Sequence, residues 1–193
     1  MTDIIIPRNW WKDLELQWKQ AFGLSVTIDQ PEPDAAELKE IFSMQTIRLA
    51  GPKAPFPNMP FELSNLSGLQ HLCSLTIVIV THHKIENIEV LRNLTNVKSL
   101  FLFNNNIESL TGIEELTQLE QLYVQCNQIS SLKPVEKLVN LKELYINDNR
   151  IESLNGLTEM HSEKLTMFVC RPNKQLRQKE IIRAERDLGI MCR

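Results

Sequence analysis

Leu94-Thr-Asn-Val97-Lys-Ser-Leu100-Phe-Leu102-Phe-Asn-Asn105-Asn-Ile107-Glu-Ser-Leu110-Thr-Gly-Ile113 is one unit of a pattern that the chain writes four times. The other units start at Leu72, Leu116 and Leu138, so successive units are 22 residues apart. Counted from each first leucine, positions 1, 4, 7, 9, 14, 17 and 20 hold Leu, Ile or Val in every unit. Position 12 holds His83, Asn105, Asn127 and Asn149. A period this short and regular means stacked supersecondary units, none of which buries its apolar side alone.

Within a unit, the stretch Leu100-Phe-Leu102-Phe-Asn104 alternates with the period of a strand, so positions 7 and 9 point inward and their neighbours outward. Repetition lays these strands side by side as a parallel sheet. The asparagine at position 12 is expected to turn the chain out of the strand, its amide satisfying backbone groups of the turn and the next coil. Beyond it the apolar spacing of three (Ile107, Leu110, Ile113) suits short 3₁₀ turns better than full helices. Gly68, Val90, Gly112, Pro134 and Gly156 fall at equivalent turns there. The outer side is then wider than the strand side, and the sheet becomes a concave surface.

These L-x-x-L-x-x-L-x-L-x-x-N-x-I blocks resemble the leucine-rich-repeat family in its short 22-residue class, as found in a phosphatase regulatory subunit, a spliceosomal protein and the internalins. The resemblance covers residues 41–173. It implies an α/β solenoid, a curved parallel β-sheet with a 3₁₀ or irregular convex side and helical N- and C-terminal caps. It also implies a role in binding other proteins through the concave face. His83 departs from the asparagine pattern; an imidazole supplies one comparable donor contact, so the second unit is expected to be looser at its turn.

The flanks complete a single domain over 1–193. Residues 1–43 form a helical N-terminal cap. A helix over 9–22, capped by Asn9 and stopped by Gly23, carries Trp11, Leu14, Trp18 and Phe22 on one stripe. After Pro31 and Pro33, Asp34 and Glu37 mark a capping box, with Leu38, Ile41 and Phe42 as the apolar face. Repeats occupy 44–173. The first, around Ile47-Arg48-Leu49, is interrupted by an insertion at 51–62 holding four prolines, with Phe56 and Phe61 expected to pack over the edge, and with contact to a partner as the alternative reading. A further unit with two extra residues near His161-Ser162 ends the array. Residues 174–193 form a C-terminal capping helix with Ile181, Ala184, Leu188 and Met191 inward.

Twenty-one basic residues against 24 acidic ones argue against a dedicated nucleic-acid binder. The absence of a long apolar run argues against a membrane span, and the opening segment with Ile4 and Ile5 lacks the order of a secretory signal. Cys73, Cys126, Cys170 and Cys192 form no metal-binding spacing, so reduced thiols in a cytoplasmic protein are expected, with no cofactor.

The candidate site is the concave face. Position 8 of successive strands holds Arg48, Ile79, Phe101, Tyr123, Tyr145 and Val169; position 10 holds Ala50, Thr81, Phe103, Gln125, Asn147 and Arg171. An aromatic column with a polar rim has the composition of a protein-binding surface, and the partner is then a protein of unknown identity. Cross-strand packing by the same residues is the structural alternative, and burial of the stripe in a weak homodimer, as in a self-associating structural protein, is a third. His82, Cys126 and Asp148 lie on a line of strand ends rather than converging, which disfavours metal or nucleophilic chemistry. A non-catalytic interaction scaffold, monomeric or weakly dimeric, is the expected function.

Overall fold

Each unit contributes one strand to a parallel, six-stranded sheet in chain order. In this computed structural model, residues 6–26, 28 and 32–193 are described; Ile4, Ile5 and Pro31 lie outside them. The strands are β1 (Thr46–Ala50), β2 (Ile77–Thr81), β3 (Ser99–Phe101), β4 (Gln121–Tyr123), β5 (Glu143–Tyr145) and β6 (Met167–Val169). Their register is that of the sequence period: Arg48 faces Ile79, then Phe101, Tyr123, Tyr145 and Val169 in line. The inward residues between them, such as Leu100, Leu102, Leu122 and Leu144, are fully buried. Each such leucine contributes about 2 kcal/mol of burial, and the sum is shared between neighbouring units rather than held within one.

Two side-chain ladders fix the repeat. At position 12, Asn127 donates to the carbonyls of Leu102 and Val124, both at 3.0 Å, and accepts from the amide of Ile107 at 3.0 Å. Asn105, Asn149 and Asn173 repeat that arrangement. His83 keeps the two bonds between units: Nδ1 accepts from the Leu63 amide (3.0 Å), and Nε2 lies 3.3 Å from the Leu49 carbonyl. With Nδ1 accepting, Nε2 carries the proton, and one ring N–H serves one carbonyl where an amide serves two. The left-handed residue that turns the chain is not position 12 but the one before it. His82, Asn104, Cys126 and Asp148 all have φ between 56° and 59°. Position 12 pins a turn that position 11 makes.

The second ladder, at position 16, was not read from the sequence. Asn65, Asn87, Ser109, Ser131 and Ser153 each accept from the backbone amide two residues on, at 2.8–3.2 Å. These local turns start the convex segments, three of which are 3₁₀ helices (Ser67–Leu69, Glu89–Asn93, Lys133–Val135).

The N-terminal cap differs from expectation. The single helix over 9–22 is two: α1 (Trp10–Asp13) and α2 (Leu16–Ser25), broken at an extended Leu14. Asn9 makes no side-chain cap, and Gly23 lies inside α2 rather than ending it. The break frees Glu15, whose carboxylate takes the Asn65 amide (2.9 Å) and the Ser67 hydroxyl (3.1 Å), tying the cap to the first repeat. Trp10, Trp11, Leu14, Trp18 and Phe22 are buried, and the Trp18 indole donates to Asn65. The helix α3 (Ala35–Ser43) has the expected capping box of Asp34 and Glu37.

The insertion at 51–62 closes the outer edge of β1. The Asn58 side chain accepts from the Ala50 amide (2.6 Å) and donates to the Arg48 carbonyl (2.7 Å). Glu62 bridges Lys53 (2.9 Å) and Lys84 (2.7 Å), and their ammonium groups lower its carboxyl to about 2. Met59 is the residue buried under this loop; Phe56 is 81% exposed, contrary to the expected packing, and Phe61 is half-buried.

At the other end, α4 (Glu159–Ser162) absorbs the two extra residues. Its His161 is buried, with Nδ1 accepting from the Thr158 amide and Nε2 bound to the Val135 carbonyl. The capping helix α5 is shorter than expected, Gln178–Asp187. It buries Ile181 and Ala184, but Met191 is exposed, because Gly189 (φ 70°) turns the chain and brings Ile190 inward instead. Cys170 and Cys192 form a disulfide, which corrects the expectation of four reduced thiols; Cys73 and Cys126 are free. Beside it, the Arg193 amide donates to the Phe168 carbonyl and its carbonyl accepts from the Cys170 amide, both at 2.9 Å. That is the bonding of a parallel partner strand opposite Val169.

Candidate functional site

The register of the sheet brings the position-8 side chains into one column on the concave face. Phe101 and Tyr123 have ring centroids 4.8 Å apart and tilted; Tyr123 and Tyr145 are stacked at 4.2 Å. Ile79, Phe101, Tyr123, Tyr145 and Val169 are all half-buried, since each spends one face on a neighbour and turns the rest to solvent. The rings pack across strands, and a contiguous apolar strip still reaches solvent.

Position 10 is less uniform. Phe103, Gln125 and Asn147 are half-buried and Arg171 is exposed, but Thr81 is only 3% exposed. Its carbonyl accepts from the Gly51 amide, at the root of the insertion, so position 10 is covered at that end while Arg48 at position 8 stays exposed. Phe103 meets the His82 ring edge-on at 5.5 Å, and Asn104 Nδ2 lies 3.1 Å from His82 Nε2.

The strand alternation also turns position 6 (Ile77, Ser99, Gln121, Glu143 and Met167) to this face, and its polar members are bonded to one another. Ser99 donates to Gln121 (2.7 Å), the Gln121 amide donates to Glu143 (3.1 Å), and the Tyr123 hydroxyl donates to the other Glu143 oxygen. Burial first, and the hydrogen bond to Glu143 second, push the Tyr123 phenol above its ordinary range. The hydroxyl stays a neutral donor at any physiological pH.

The groups that invited metal or nucleophilic chemistry do not come together. Cys126 Sγ lies 4.0 Å from Asp148, and burial, then the Asp148 charge, raise its thiol above the usual value, the opposite of an activated nucleophile. Among the described residues, no group of three His, Cys, Asp or Glu side chains is placed to hold a metal ion. A groove of about 460 Å³ lined by Ser109, Ser131, Lys133 and Pro134 lies between convex turns and shares no residue with the column.

The family model for leucine-rich repeats in two copies matches residues 95–137 and 117–159, which hold Asn105, Asn127 and Asn149. The chain carries leucine-rich repeats. No curated protein matches it in sequence. Among solved structures, an internalin (InlF) of Listeria monocytogenes is similar over 68% of this chain with a TM-score of 0.59 and 24% identity. This chain spans 37% of the length of that internalin chain, and the likeness is one of fold. A second internalin of the same organism (InlC2) aligns over 89% of this chain and 86% of its own, at a TM-score of 0.46 and 18% identity.

Proposed function

We propose that this leucine-rich-repeat chain, as one domain over 1–193, is a non-catalytic scaffold that binds a protein partner through its concave sheet. The observation that carries this is the part-exposed column Ile79–Phe101–Tyr123–Tyr145–Val169 on a face held rigid by backbone and asparagine ladders. Fixed aromatic side chains lose little entropy on binding and make efficient anchors, and the Ser99–Gln121–Glu143 rim supplies orientation. Repeat proteins ordinarily recognise other proteins this way, which supports the reading by analogy of fold.

Among the described residues no helix is long and apolar enough to cross a membrane. Cytoplasmic residence is an expectation that the Cys170–Cys192 disulfide does not favour, since such bonds persist in oxidising compartments. The test is capture by the wild type beside a Phe101→Ser/Tyr123→Ser/Tyr145→Ser variant of equal folded mass. A partner retained by both would exclude the concave face. Self-association through the same stripe is the second reading, favoured by its apolar continuity; a solution mass independent of concentration removes it.

A further inference from the structure

Resting on that reading, the geometry points to the chemistry of the partner: we infer that the concave face takes a protein segment with apolar side chains at its centre and carboxylates at both ends. Arg193, through its strand-like bonds opposite Val169, occupies a seventh place in the position-8 column. Among the described residues the column therefore runs from Arg48 to Arg193, with Ile79 to Val169 between them. Arg171 lies beside Arg193, its amide bonded to the Arg193 carbonyl at 3.2 Å.

All three guanidinium groups are exposed, and among the described residues none is within ion-pair distance of a carboxylate. Arg48 donates to the Phe56 carbonyl and Arg193 lies against the Met167 sulfur, contacts that orient the groups without neutralising them. The carboxylate side chains on this face are elsewhere and engaged: Glu143 accepts from Gln121 and Tyr123, and Asp148 from the Asn147 amide. From Arg48 to Arg193 is six strand spacings, about 29 Å, the reach of roughly nine extended residues. An apolar ligand without charge would leave both cationic ends uncomplemented, and a basic one would be repelled by them.

The test is selection from a display library of random peptides long enough to span that distance, using the full chain as target. The expected result is enrichment of apolar sequences flanked by Asp or Glu. The recovered peptides should bind roughly tenfold more weakly to an Arg48→Glu/Arg171→Glu/Arg193→Glu variant and in high salt. Because Arg48 also holds the insertion, the Arg171→Glu/Arg193→Glu pair is measured separately, and loss of acidic preference at one peptide end is expected there. Enrichment of apolar peptides with no acidic bias would overturn the inference while leaving the concave-face reading intact. Peptides that bind the Phe101/Tyr123/Tyr145 variant equally well would overturn that reading itself. A concentration-dependent dimer that excludes peptide would replace both with self-association.

Discussion

The Trp18 indole lies so close to the backbone of Gly68 that a β-carbon on that glycine would meet Cδ2 of the ring at 2.1 Å. Trp18 is fully buried and anchored through its Nε1 to Asn65, so the ring has nowhere to retreat. Gly68→Ala should therefore destabilise the chain by about 2 kcal/mol, the cost of overpacking a filled site. Urea unfolding followed by tryptophan fluorescence measures this. An unchanged midpoint would mean that the N-terminal cap is not seated on the first repeat as described.

His83 gives the fold an acid-sensitive joint. Burial first of all lowers its imidazole from 6.5 to about 4; the Leu49 carbonyl and nearby Glu62 act upward and His82 downward. The unfolded chain therefore binds this proton more readily than the folded one. Its contribution to stability is complete above pH 6.5, is lost progressively as the pH falls towards 4, and changes no further below that. His83→Asn keeps an acceptor for the Leu63 amide and a donor for Leu49 but does not titrate. Measured stability of the wild type should fall relative to this variant across that window, and parallel curves would remove His83 as the cause.

Cys126 holds a left-handed conformation (φ 57°) that its counterparts Asn104 and Asp148 tolerate more readily. Cys126→Gly should relieve that strain and raise stability by up to about 1 kcal/mol, less the entropy glycine adds to the unfolded chain. The thermal midpoint reports it, and a clear loss would show that the Cys126 side chain packs more than its half-buried state implies.

The Cys170–Cys192 disulfide closes a loop of sequence separation 22. Cys192→Ser should lower stability under non-reducing conditions by about 3 kcal/mol. Hydrogen exchange should quicken at the Cys170 and Arg171 amides, which both bond to the Arg193 carbonyl. Exchange unchanged at those two amides would show that the C-terminal residues hold their place without the bond.

The sheet and its register were legible because the seven apolar slots and the asparagine repeat without a slip, so one correct unit places all the others. The outward column followed from alternation alone. What escaped depended on contacts between units and flanks, which periodicity does not encode. Leu14 breaks the first helix so that Glu15 reaches Asn65 and Ser67, a reason that lies outside the helix itself. Thr81 follows the alternation of its neighbours, yet the root of the insertion covers it. The disulfide joins cysteines that the turn at Gly189 brings together, and Phe56 stands in solvent on a loop whose carbonyl the Arg48 guanidinium holds.

The insertion and the C-terminal turn share a property that bears on behaviour at high concentration. A parallel sheet ordinarily offers two rows of unpaired amides and carbonyls, each a template on which further chains polymerise. Here Asn58 takes the Arg48 carbonyl and the Ala50 amide on β1, and Arg193 takes the Phe168 carbonyl and the Cys170 amide on β6, which interrupts both rows. The stack can therefore present its broad face to other molecules without recruiting them into fibres from its ends.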